Sequence, residues 1–174
     1  FFDKIKLEKL LQGALNRYKI PGLAACVMHE GKIIYKSGFG LRNVSASLCV
    51  NSKTIFGVAS ITKLVTALII KQSENENILK TSDLVSAYVP DLSCLQNTKI
   101  EIRHLLNHSA GFPGLPTRHK STDLRSSKIN DEMKSFDDLV VYLNKLDFDM
   151  LAEPGKLLSY SNEGYCLLGC IIER

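Results

Sequence analysis

Several features that would place a chain in an obvious class are missing from this sequence. No apolar run reaches the length of a bilayer span; Leu64-Val-Thr-Ala-Leu-Ile-Ile70 is stopped by Lys71-Gln-Ser-Glu-Asn-Glu76 and reads as a buried helix. The first residues, Phe1-Phe-Asp-Lys-Ile-Lys6, lack a basic region followed by an apolar core, so no signal peptide is expected there. Lysine and arginine are scattered rather than gathered into a run, and the formal net charge is only +4, which argues against nucleic acid or an anionic membrane as partner. Cysteine is present without a Cys-x-x-Cys pair: Cys26, Cys49, Cys94, Cys166 and Cys170 are an odd, widely spaced set, expected as buried free thiols. Cys166 and Cys170 stand one helical turn apart, but no neighbouring His or carboxylate completes a tetrahedral set, so no metal and no cofactor is expected.

What is present is ordinary for a globular chain of one domain: 174 residues, 45% hydrophobic and 23% charged. Ile5, Leu7, Leu10, Leu11, Ala14, Leu15 and Tyr18 recur at helical spacing, predicting an amphipathic helix that ends before Pro21-Gly22 and packs on a sheet. Two β-prone runs, Leu23-Ala-Ala-Cys-Val-Met-His29 and Lys32-Ile-Ile-Tyr-Lys-Ser37, flank Glu30-Gly31 and predict a hairpin. Gly38-Phe-Gly40 is expected to end the second strand, with a loop over residues 42–53. Further on, Leu84-Val85 and Tyr88-Val89-Pro90 mark a short helix. Ile100-Glu-Ile102 leads into a brief helix through Arg103-His-Leu-Leu-Asn-His108, stopped by Ser109-Ala-Gly111. Residues 112–133 read as a long surface excursion and 136–146 as an amphipathic helix. A turn at Glu153-Pro-Gly155 precedes Tyr160-Ser-Asn162 and an apolar helix, Tyr165-Cys-Leu-Leu-Gly-Cys-Ile-Ile172, in the middle of which the sequence stops.

The chemistry is expected at Phe56-Gly-Val-Ala-Ser60-Ile-Thr-Lys63, where Ser60 opens a helix and Lys63 follows three residues later on the same face. A hydroxyl needs a partner that takes its proton, and an amine in an apolar surround beside a helix start is pushed towards the neutral form that can do so. Taken alone, Ser-x-x-Lys arises about once by chance in a chain of this length, and it also fits an N-cap serine followed by a solvated lysine.

Four stretches together go further. Phe56-Gly-Val-Ala-Ser60-Ile-Thr-Lys63, His104-Leu-Leu-Asn-His-Ser-Ala-Gly111, Pro154-Gly155 and Tyr160-Ser-Asn162, in this order and spacing, resemble the serine β-lactamase-related family. That family contains class C β-lactamases, low-molecular-weight penicillin-binding proteins and D-peptidases, and β-lactamase-fold esterases. The resemblance runs from about residue 20 to the C-terminus. It implies an α+β, β-lactamase/DD-peptidase-like fold: an antiparallel sheet begun by the N-terminal hairpin, and a largely helical region. Residues 1–174 would form a single partial domain, with helix, hairpin and loop in 1–55 and the site motifs in 56–174.

Carried over by motif, the resemblance implies Ser60 as acylated nucleophile, Lys63 as its proton partner, Tyr160 as second general acid/base, and Asn162 as the residue that orients Lys63 and the substrate. Read structurally, Tyr160 would be a buried core tyrosine and Asn162 the N-cap of the helix that follows it. His104 and His108 are assigned to the core, and His29 and His119 to the surface. The expected activity is serine hydrolysis through an acyl-enzyme, on small esters, D-amino-acid peptides or β-lactams. The alternative is a β-lactam sensor, or an inactive binding or scaffold protein on the same fold.

Two departures from the family pattern stand out. Asn77-Ile-Leu-Lys-Thr-Ser-Asp83-Leu replaces the usual Gly-x-Leu-x-Leu-Asp-Asp-Pro, and Asn77 is expected to keep the left-handed turn that glycine supplies. The family's Lys-Thr-Gly or His-x-Gly triplet on a later strand is absent, so the resemblance implies a front half without its C-terminal sheet strands. Residues 1–174 alone are then expected to be aggregation-prone and weakly acylated, since losing one oxyanion donor costs ~2.7 to 4 kcal/mol.

Overall fold

The structure, a computed structural model, describes residues 2–113, 135–146 and 148–174. From residue 114 onwards the expected surface excursion, His119 included, lies outside the described residues. The chain divides into two compact units, Phe1–Gly57 and Val58–Arg174.

The first unit begins with helix α1 (Lys4–Tyr18), started by the Asp3 side chain, which accepts the Lys6 N–H at 2.9 Å. It ends where Lys19 turns left-handed and returns its N–H to the Leu15 carbonyl. Strands β1 (Gly22–His29) and β2 (Lys32–Asn43) form the expected antiparallel hairpin. Glu30 and Gly31 both have positive φ, 49° and 74°, as the two central residues of a tight hairpin turn with the twist of the flanking strands require. Tyr35, buried on β2, donates its hydroxyl to Glu8 of α1 at 3.3 Å, so the helix does pack on the sheet.

Here the glycines of Gly38-Phe-Gly40 do not end β2. The strand runs through them to Asn43, and β3 (Leu48–Cys49) pairs with it, giving a three-stranded antiparallel sheet in the order β1-β2-β3 within what was expected to be a loop. The glycines mark close approach instead. Gly40, at φ 68°, accepts the Val50 N–H at 3.0 Å, and a β-carbon on it would stand 2.3 Å from the Pro21 carbonyl.

The second unit is helical: a 3₁₀ turn (Ala59–Ile61), α2 (Thr62–Asn75), α3 (Val85–Tyr88), α4 (Ile102–Leu106), α5 (Phe136–Asn144) and α6 (Asn162–Glu173). Asn77 is left-handed at φ 59°, so the turn after α2 keeps its shape without glycine. The core forms around α6. Leu167, Leu168, Cys170 and Ile171 meet Ile70 of α2, Val85 of α3, Leu105 of α4 and Leu139 and Leu143 of α5 in one buried cluster. Each fully buried leucine contributes roughly 1.5–3 kcal/mol.

Two expectations about burial are corrected. Of α2 only Ile70 is buried, while Leu64, Val65, Leu68 and Ile69 are exposed, because the helix is apolar around most of its circumference and the unit's core covers one side. The cysteines are all free, but Cys26, Cys49 and Cys166 are exposed and only Cys170 is buried, with Cys94 half-buried. Cys26 falls on the outward-facing alternation of β1. No helix among the described residues is long and apolar enough to cross a membrane.

Candidate active site

The site lies within the second unit, and its frame is the backbone just after α4. There Ser109-Ala-Gly111 does more than stop a helix. The chain leaves α4 with His108 left-handed at φ 59° and Gly111 at φ 87°, and a later segment is hydrogen-bonded along this turn. Leu151, Gly155 and Ser159 donate their N–H groups to the carbonyls of Gly111, Ser109 and His108, each at 2.8 Å, and the Ser159 hydroxyl donates to the Phe112 carbonyl at 2.7 Å. Gly111 cannot carry a side chain, since a β-carbon would lie 2.3 Å from the Ala152 carbonyl. The segment so fixed delivers Tyr160 and then the start of α6.

Helix α6 is capped by Ser161, whose buried hydroxyl accepts the Gly164 N–H at 2.9 Å and donates to Glu163 at 2.9 Å. Asn162 is therefore the first helical residue, and the N-cap role expected for it belongs to Ser161. Relieved of capping, the Asn162 side chain is available elsewhere. On the other side, Ser60 sits in the 3₁₀ turn that opens α2, directly after Ala59, whose left-handed φ of 45° is uncommon for a residue with a β-carbon. Lys63, half-buried, occupies the first turn of α2.

These two elements bring the four expected residues together across about a hundred positions of sequence. Ser60 Oγ and Tyr160 Oη are 2.7 Å apart, with either able to donate. Lys63 Nζ donates to Asn162 Oδ1 at 2.7 Å and stands 3.5 Å from Ser60 Oγ, the outer limit of a hydrogen bond. The same nitrogen lies over the rings of Tyr160 and Tyr165, 4.9 and 5.5 Å from their centroids, so two aromatic faces help to fix it. Tyr160 is not a core tyrosine: it is 51% exposed.

Two residues at the site were not anticipated. Tyr165, on α6, donates its hydroxyl to the Leu106 carbonyl at 2.8 Å, and its pKa is raised by burial and by neighbouring Tyr160. His108, expected in the core, is only half-buried; its ring lies 4.4 Å from that of Tyr160 and 5.1 Å from that of Tyr165. Burial, and after it the charge of Lys63, push its pKa below the ordinary imidazole value. His104 instead caps its own helix, its Nδ1 accepting the Glu101 N–H at 3.1 Å, and it too is half-buried. His29 is exposed, as expected. No cluster of three or more His, Cys, Asp or Glu able to hold a metal occurs among the described residues.

A family model described as Beta-lactamase matches residues 7–174. The chain belongs to the Beta-lactamase family. Protein flp of Staphylococcus aureus (strain COL) is 28% identical to this family member over 172 residues, which are 97% of this chain and 33% of that protein. A protein named Beta-lactamase from Escherichia coli (strain K12) is 27% identical over 165 residues, 95% of this chain and 40% of that one. Among solved structures, the octameric penicillin-binding protein homologue from Pyrococcus abyssi superposes with a TM-score of 0.83 at 32% identity, over 99% of this chain and 39% of that chain. The chain thus spans about a third of the length of the first curated relatives it matches, and it covers part of the full β-lactamase/penicillin-binding-protein fold.

Proposed function

We propose that this protein is a serine hydrolase that acts through an acyl-enzyme on small esters, D-amino-acid peptides or β-lactams. The observation that carries this is the shared position of Ser60 Oγ, 2.7 Å from a phenol and 3.5 Å from the Lys63 side-chain nitrogen that Asn162 holds in place. A serine hydroxyl becomes nucleophilic when a neighbour takes its proton, and here two side chains able to exchange protons adjoin it.

In this reading Ser60 Oγ attacks the substrate carbonyl carbon while its proton passes to the Tyr160–Lys63 pair, which acts as one base with a single proton shared between the two side chains. Collapse of the tetrahedral intermediate breaks the bond to the leaving alcohol or amine, which takes that proton back. Water then attacks the ester on Ser60 by the reverse route, releasing acid and restoring the hydroxyl. The aromatic faces around Lys63 and the amide oxygen of Asn162 keep its nitrogen aimed at Ser60, so the geometry exists before substrate arrives.

The test is covalent labelling of the natural full-length protein with a fluorophosphonate and with a fluorescent penicillin, followed by mass spectrometry of the modified peptide. Label on Ser60, lost in Ser60→Ala, is the expected result. Label on another residue, or undiminished labelling of Ser60→Ala, would remove the nucleophile assignment. A time course of label release then separates an enzyme that turns over from a sensor that stays acylated.

A further inference from the structure

Tyr160 is half-exposed, yet its hydroxyl must meet Ser60 Oγ to within a fraction of an ångström for a proton to pass between them. His108 grips the backbone on both sides of it. The His108 carbonyl accepts the Ser159 N–H at 2.8 Å, and the His108 ring nitrogen Nδ1 accepts the Ser161 N–H at 3.2 Å. Between those two bonds the imidazole lies against the Tyr160 phenol ring, 34° from parallel with centroids 4.4 Å apart. A single residue therefore holds the Ser159 N–H before Tyr160, the Ser161 N–H after it and the ring itself.

We infer that His108 is a positioning residue for Tyr160, holding the phenol against Ser60 only while its own Nδ1 is free of a proton. This rests on the proposed role of Tyr160 in moving the Ser60 proton. Protonation would turn Nδ1 from acceptor into donor, facing the Ser161 N–H donor, and one side of the grip would be lost. The groups facing the imidazole are the Lys63 nitrogen from α2, the Tyr160 phenol and the Tyr165 phenol from α6. None of them is an anion that would favour an imidazolium, and Lys63 opposes it. The grip thus holds at neutral pH and releases in acid, below the ordinary imidazole range.

The acceptor can be separated from the ring and from the fold. His108→Asn keeps an acceptor oxygen at the position of Nδ1, does not titrate, and tolerates the left-handed backbone at φ 59°. His108→Ala removes acceptor and ring together. The measurement is the rate of Ser60 acylation by a fluorescent penicillin in the natural full-length protein from pH 4.5 to 8.5, alongside the melting temperature of each variant.

At pH 8, His108→Ala is expected to acylate about 10- to 100-fold more slowly than the parent, the scale for a misplaced catalytic group, and His108→Asn to recover most of that loss. The parent is expected to lose rate in acid, with the midpoint of the loss below the ordinary imidazole value of about 6.5, and His108→Asn to lose this acid limb. Rates within two-fold of the parent in both variants would overturn the inference while leaving Ser60 as nucleophile. So would equal losses in the two variants that follow their melting temperatures, or an acid limb unchanged in His108→Asn. Failure of the parent to label at Ser60 would instead overturn the proposed function, and this inference with it.

Discussion

The two units of the chain are held together differently. In Phe1–Gly57 the buried apolar side chains are Leu15, Tyr35 and Val50, while Met28, Ile33, Ile34, Val44 and Leu48 are exposed along the sheet and its turn. In Val58–Arg174 a continuous cluster extends from Ile70 through Phe112 to Ile171, with many members wholly buried. The first unit is specified by local rules, a capped helix and a two-residue turn, and buries little. The second buries a core into which α2, α4 and α6 pack, and Ser60 in the 3₁₀ turn before α2, Lys63 on α2, His108 just after α4 and Asn162 at the start of α6 are placed by it. The lesson is that the site's geometry depends on the second unit's packing far more than on the hairpin's surface.

The largest expected effect that sharpens this contrast is Leu168→Ala, which empties a fully buried position in the core cluster. It should cost about 2–5 kcal/mol in urea-induced unfolding of the second unit, whereas Ile33→Ala, at a site 56% exposed on β2, should stay within about 0.5 kcal/mol. Equal costs at the two positions would break the comparison. Next come the two residues at the start of α6. Ser161→Ala removes the cap and one hydrogen bond to buried Glu163 and should cost about 0.5–2 kcal/mol. Asn162→Ala should leave unfolding almost unchanged and lower acylation, because its oxygen serves Lys63 rather than the helix end. The reverse pattern would return the cap to Asn162.

The smallest effect concerns the end of α2. Glu74 is held to a pKa of about 2, against an ordinary 4.5, first by its hydrogen bond from Lys71 and then by the Thr81 hydroxyl and N–H. A carboxylate depressed on folding stabilises fully above its unfolded pKa, so this contribution is present above pH 4.5 and fades as pH falls towards about 2. Urea midpoints between pH 2 and 6 should drop less steeply for Glu74→Gln than for the parent. An identical slope would detach Glu74 from the acid response.

Much of this architecture was legible from local signals. Glu30-Gly31 marks the hairpin turn, and the helical spacing of residues 5–18 and 136–146 marks α1 and α5, the latter ending two residues earlier at Asn144. What escaped depended on distant partners. Strand β3 is two residues long, too short to show alternation, and exists because β2 lies beside it. The exposure of α2 could not be read from its composition, since apolar residues do not say which side a core will cover. At the site, Ser60 and Lys63 share a helical turn, and their spacing gave that neighbourhood directly. Tyr160 and Asn162 lie about a hundred residues away and came in through the family motifs alone. His108 was visible as a residue of one such motif, but its place against Tyr160 comes from the left-handed exit of α4 and the segment bonded to it.

If Ser60, Lys63 and Tyr160 work as one proton-transfer unit, a double-mutant cycle on acylation rate will reveal the coupling. Lys63→Ala and Tyr160→Phe should each slow Ser60 acylation by about 10²- to 10⁴-fold. The double variant should be little slower than the worse single one, because groups that share one proton are not independent. If the two losses simply multiply, Lys63 and Tyr160 act separately and the shared-proton account of this site is wrong.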